Sequence, residues 1–387
     1  MYSTKHAETP KRAAASTSGP QQHPPPQVAG RLASLDAFRG LTVAGMLLVN
    51  NVALDYRTPQ QLTHAPWNKG VHFADMVFPW FLFIVGVAIP YSAASHRRKG
   101  GSAFGYHLKA LKRAALLILL GCFVDSSVAR QPVVGLGVLQ LIGLAYLVGA
   151  LLYSLPLPWR LASAGMLLVS HWAAIRLVPV PGLGAGVFNE HANIIDYINT
   201  SYLGRYHLAG LVSVVPTAAL VLIGTATGDA LRGSRPASWR CGLWVLSAGV
   251  AMASVGWLWS RDLPFNKPVW TASYILYTGG WGAVLLALMY LVVDVKGRRA
   301  WAFPLVVFGM NAIAGYVLPI VVKTFILQGW SWRTPNGTTQ PLQQAILGSL
   351  KGWAGQVAGG WLYTFGYIAV WWLVLLLMYR KQVFLRV

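Results

Sequence analysis

The sequence predicts an all-α integral membrane protein: a polytopic helical bundle of about ten transmembrane helices with both termini cytoplasmic. Three observations carry this. The chain is 55% hydrophobic and only 11% charged, with a mean hydropathy of +0.51, whereas a soluble domain carries about 25% charged residues. Apolar runs of about 20 residues recur, long enough to cross the ~30 Å hydrocarbon core. Lys and Arg gather on alternate connections. Within hydrocarbon the backbone must satisfy its own hydrogen bonds, so helices are the default. Stretches such as Ala114–Leu120 and Trp371–Met378 are continuously apolar and lack the alternation of a transmembrane β-strand.

Residues 1–30 are rich in Ser, Ala, Gln and Pro and have no apolar core of a signal peptide. They read as a disordered basic N-terminal tail. Residues 31–387 read as one transmembrane domain. Apolarity and length place its spans at approximately 37–54, 73–95, 110–127, 133–154, 159–178, 209–230, 239–260, 270–293, 302–326 and 357–379. With the N-terminus inside, roughly two-thirds of the 31 Lys and Arg residues fall on the cytoplasmic side. The outer connections are then 55–72, 127–132, 179–208, 261–269 and 327–356, two of them long, which points to function or disorder. No internal repeat stands out.

The net charge of +21 follows from positive-inside loops, and nucleic acid is not the expected partner. Cys122 and Cys241 fall near opposite faces, too far apart for a disulfide. No Cys or His spacing suits a metal.

Three segments carry candidate chemistry. At the cytoplasmic mouth of the first span, Ser34 or Asp36 can cap the helix. Arg31 and Arg39 beside a helix N-terminus suit phosphates, or are ordinary positive-inside charge. At the other end, Asn50 and Asn51 either line a cavity or mark exit into the interface. On the outer side lie His64 and, at the start of span two, Asp75. Histidine exchanges protons near neutral pH, and a carboxylate can orient it; the alternative is a loop histidine beside an interfacial Trp belt. His72, His171, His191 and His207 sit near membrane ends, and His96 and His107 read as solvated cytoplasmic-loop residues.

The runs Arg31–Thr42 with Asn50, His64–Asn68, and Ala74–Gly86 resemble the heparan-α-glucosaminide N-acetyltransferase family in its bacterial form. The resemblance recurs at Gly137–Gln140, Val269–Tyr274, Val293–Gly297, Gly309–Asn311 and Tyr379–Phe384. It implies a transmembrane acyltransferase that takes acetyl-CoA as a cytoplasmic co-substrate, with no tightly bound cofactor. The acetyl group is delivered to an amino sugar near the outer face. His64 matches the family's catalytic histidine, Asn50 and Asp75 the polar residues beside it. Arg31, Ser34, Asp36 and Arg39 fall in the basic cytoplasmic entrance. The implied setting is a bacterial cytoplasmic membrane, with a homodimer left open. His64 serves as base or as acyl carrier. The chain departs from the family at His207-Leu208-Ala209-Gly210, where relatives carry an acidic stretch, and at Leu141, where they often carry Arg. The acceptor is therefore open. The competing readings are a transporter for a polar or anionic solute and an inactive scaffold.

Overall fold

The computed structural model describes residues 32–234 and 236–385. The expected N-terminal tail and Arg31 lie outside the described residues. The chain is helical apart from two small hairpins. In order, the elements are α1 (Ala33–Asn51), α2 (Phe73–Arg98), α3 (Ala103–Ala129), α4 (Val138–Leu152), α5 (Leu157–Leu177), β1 (Phe188–Asn189), β2 (Ala192–Asn193), α6 (Ile194–Ile198), α7 (Val214–Gly233), α8 (Trp239–Trp259), α9 (Ala272–Met289), α10 (Phe303–Met310), α11 (Ala312–Val322), β3 (Ser331–Arg333), β4 (Thr339–Pro341), α12 (Leu342–Ala354) and α13 (Gln356–Arg380). β1 pairs antiparallel with β2, and β3 with β4.

By length and apolarity five helices can cross a membrane among the described residues, or six if the bent α10–α11 region counts as one span. The protein is thus a multi-pass integral membrane protein.

The layering follows from exposure. The apolar windows of α2, α7 and α9 are 67% buried, against 28% for α8 and α13. The former therefore form the centre and the latter the wall. Phe83, Ile84, Leu220, Leu222 and Tyr274 fill the central core. Leu116 and Leu119 of α3, Met166 of α5, Trp244 and Leu258 of α8, and Leu373 and Leu377 of α13 turn outward. Outward apolar side chains over whole helices suit hydrocarbon as solvent.

Lipid tails are as apolar as leucine, so helices in a bilayer associate through close packing at small residues. Gly40 of α1 lies against the Leu305 carbonyl and Gly309 of α10 against the Asp36 carbonyl. Gly86 of α2 and Gly224 of α7 make a second backbone crossing. A Cβ at Gly40, Gly309 or Gly86 would overlap a backbone oxygen, so each fixes a helix pair.

The structure corrects several expectations. The 302–326 span is two helices bent by 65°, broken at Asn311, whose side chain bonds the Val383 carbonyl and the Leu385 N–H. The 209–230 span starts helically only at Val214, after a 3₁₀ turn at Leu211–Ser213. His107 is not in a loop: it belongs to α3, half-buried, with Nδ1 buried and unpartnered. Arg160, counted from the sequence only among the inside charges, is drawn into the packing. It is 5% exposed and bonds Asp229 and Thr225, because a buried guanidinium needs its partners. Neither Ser34 nor Asp36 caps α1; the Asp294 carboxylate accepts from the N–H groups of Ala33 (3.1 Å) and Ser34 (3.1 Å).

Candidate active site

Asp75 is the third residue of α2 and reaches back to the His72 N–H at 3.1 Å. That is the acidic half of a capping box, which satisfies a donor the helix start leaves free. The same oxygen accepts from the Ala65 N–H at 3.0 Å. The other oxygen, Oδ1, lies 2.8 Å from His64 Nδ1. One carboxylate therefore ties the loop before α2 to the helix and orients the imidazole. An ionised carboxylate only accepts, so Nδ1 carries the proton and Nε2 keeps its lone pair.

Asp75 is also held from behind. Pro79 has no N–H, which leaves the Asp75 carbonyl one turn earlier without its helical donor. The Tyr274 hydroxyl of α9 donates to that carbonyl instead. The side chains differ sharply in exposure: 3% for Asp75, 59% for His64. A buried orienting group beneath an accessible imidazole is the arrangement a reacting histidine needs.

The His64 loop is pinned on two sides. Trp67 packs on Phe188 with ring centroids 5.4 Å apart. Asn68 accepts from the Asn266 amide at 3.0 Å. Asn266 is 2% exposed and closes a turn: its side-chain oxygen accepts from the Val269 N–H, and its backbone N–H donates to the Thr271 hydroxyl. That turn presents Lys267. Its Nζ lies 3.1 Å from His64 Nδ1, 3.5 Å from Nε2 and 3.5 Å from Asp75 Oδ1. Burial pushes the Lys267 ammonium below the usual lysine range, and the nearby Asp75 carboxylate opposes that shift. Sequence reading counted Lys267 only as an outer-loop charge. Its signal was its place two residues before the Val269–Tyr274 motif.

Asn50 does not join this pair by a hydrogen bond among the described residues. It ends α1, exposed, and its carbonyl accepts from Lys323 at 3.1 Å. The same amine reaches the Asn51 side chain at 3.0 Å, and Asn51 is the buried member of the two.

Toward the other end of α1, about 16 Å from Asn50 by helical rise, Arg39 pairs with Asp36 at 3.0 Å. The Ser34 hydroxyl is buried without a hydrogen-bond partner. Asp294 accepts from the N–H groups of Ala33 and Ser34, so those two amides are not free for an anion. A cavity of about 450 Å³ opens between α3 and the π turn Lys323–Leu327; Phe123, Ser126, Ser127, Arg130, Phe325 and Gly329 line it, and His64 is not among them. Among the described residues no group of three or more His, Cys, Asp or Glu side chains converges as a metal site.

Comparison with known proteins agrees with the resemblance of the motifs. The family profile described as "Heparan-alpha-glucosaminide N-acetyltransferase, catalytic" matches residues 31–256, a stretch that holds His64, Asp75 and Asn50. The human heparan-alpha-glucosaminide N-acetyltransferase is 27% identical, over 92% of this chain and 60% of its own length. The mouse protein of the same name is 26% identical, over 93% of this chain and 61% of its own. The chain thus spans about three-fifths of the curated relatives it matches. With more than half its length under the family profile, and the paired His64 and Asp75 inside it, the chain belongs to the heparan-alpha-glucosaminide N-acetyltransferase family.

Proposed function

We propose that the chain is a transmembrane acetyltransferase. It takes acetyl-CoA from the cytoplasm and delivers the acetyl group to an amino sugar, a hexosamine or cell-envelope glycan, near the outer face. The observation that carries this reading is the His64–Asp75 pair: a buried carboxylate on Nδ1, an exposed ring and a free Nε2, in a chain of this family. Ten spans with both termini inside suit the reading. α1, α2, α3, α4, α5, α7, α8, α9, the α10–α11 pair and α13 match the ten apolar segments of the sequence in order. A bacterial cytoplasmic membrane is the setting that fits.

The donor is long enough to run along α1. Its phosphates meet Arg39, which Asp36 holds at 3.0 Å, and the Ser34 hydroxyl, while the thioester reaches the outer end. In direct transfer the acceptor amine attacks the thioester carbon. A C–N bond forms, the C–S bond breaks, the amine proton passes to His64 Nε2 and the CoA thiolate leaves. In the two-step route Nε2 attacks first and the amine then displaces the ring from the acetyl-imidazole. Asp75 stabilises the positive ring in both. Asn50 is a donor candidate for the developing oxyanion.

The test is purified protein, radiolabelled acetyl-CoA and a panel of amino sugars. Wild type should transfer label, and His64→Ala should lose about 10²–10⁴-fold in rate. Equal rates would remove His64 from the mechanism. The 65° break at Asn311 is the feature that favours a transporter, since transporters often use broken helices. Solute flux in liposomes without acetyl transfer to any acceptor would decide for that alternative.

A further inference from the structure

Lys267 stands 3.1 Å from one ring nitrogen of His64 and 3.5 Å from the other. A donor on the lone-pair axis of one nitrogen would stand far from the second. The near-equal distances put the amine against the face of the ring, out of line with either lone pair. The Nδ1 proton is therefore left to Asp75, and Nε2 stays open. Lys267 also lies 3.5 Å from Asp75 Oδ1, and the carboxylate opposes the pull of burial on the amine. Asp75 alone would favour a protonated ring, because an opposite charge stabilises the charged form, and a like charge disfavours it. An imidazolium has no lone pair to attack a thioester or to accept the amine proton.

We propose that Lys267 is a positioning residue for His64: its ammonium, held against the ring, keeps the imidazole neutral with Nε2 free between turnovers. The inference rests on the acetyltransferase reading for its purpose, not for its physics. The titratable and charged groups at the ring are Asp75 on α2 and Lys267 in the Asn266–Thr271 turn; behind Asp75, the Tyr274 hydroxyl of α9 is spent on the Asp75 carbonyl, and His72, just before α2, bonds the Thr63 carbonyl. Of these, Lys267 is the cation in contact with the ring. The turn that carries it is closed by the Asn266 N–H donating to the Thr271 hydroxyl and the Thr271 N–H donating to the Asn266 carbonyl, so the amine is presented by a fixed loop.

The experiment compares full-length wild type, Lys267→Met, Lys267→Gln and Lys267→Arg. The rate of His64 carbethoxylation by diethyl pyrocarbonate is followed against pH by peptide mass spectrometry, since only the neutral ring reacts. The neutral variants should raise the His64 midpoint by about one pH unit, and Lys267→Arg should restore it. In the transfer assay the acid limb of kcat/KM should move up by the same amount, with KM for acetyl-CoA unchanged. A midpoint unmoved in whichever neutral variant keeps the wild-type unfolding temperature overturns the proposal. A shifted midpoint in a protein that transfers acetyl to no acceptor leaves Lys267 as proposed and removes the acetyltransferase reading instead.

Discussion

Asp75 carries three duties with two oxygens: it takes the His72 and Ala65 N–H groups on one and faces His64 on the other. Asp75→Asn keeps the shape but replaces one acceptor by a donor. If the amide nitrogen turns to His64, the ring must present a lone pair at Nδ1 and carry its proton on Nε2, the wrong tautomer for attack. The variant should therefore lose about 10²–10⁴-fold in kcat with little change in KM, read in the acetyl-transfer assay. Equal kcat would show that the pair is structural. His64 and Asp75 were singled out in the sequence through the motifs that resemble the family; their spacing alone fits a loop histidine beside an interfacial Trp belt equally well. Lys267 was not: it is 203 residues from His64 in the chain, and nothing local in a lysine says what it will lie against.

Helix α2 shows how an element is tuned from outside itself. Pro79 removes the donor for the Asp75 carbonyl, and the fully buried Tyr274 hydroxyl of α9 supplies the replacement. Tyr274→Phe leaves a buried carbonyl unsatisfied, which should cost about 1–3 kcal/mol. Thermal unfolding in detergent would measure that, and an unchanged midpoint would count against the contact. The existence of α2 was plain from its apolarity; its dependence on α9 was not. The same holds at Asn311. The apolar run 302–326 reads as one span, because hydropathy sums side chains and is blind to a backbone break. Helix α12 also went unread, since its 13 residues are too few to span a membrane and its apolar residues alternate with Gln, Gly, Ser and Lys.

At the scale of the molecule, charge and apolarity together define a topology. Lys99 lies in the exposed turn between α2 and α3, and Asn336 at the exposed tip of the β3–β4 hairpin. Ten spans put these on opposite faces. Single cysteines at these positions, in a background with Cys122 and Cys241 replaced, should label from opposite sides with a membrane-impermeant maleimide in intact cells. Labelling of both from outside would break the alternation. Arg39 lies near the start of α1 and His64 follows its far end, so the labelling also tests whether the two face opposite sides, as the proposed transfer requires.

Sequence alone determined that this chain lives in a membrane and where its apolar segments lie, and its motifs offered His64 and Asp75 as candidates that the structure brings to 2.8 Å. Those are properties of composition, of runs and of residues near each other in the chain. Tertiary structure decided which helices are central, how Gly40 and Gly309 let α1 and α10 meet backbone to backbone, and that Asp294 caps α1. It also decided that Lys267 faces the ring of His64. Each of these joins residues far apart in the chain, and a local pattern carries no record of a partner that only packing brings near.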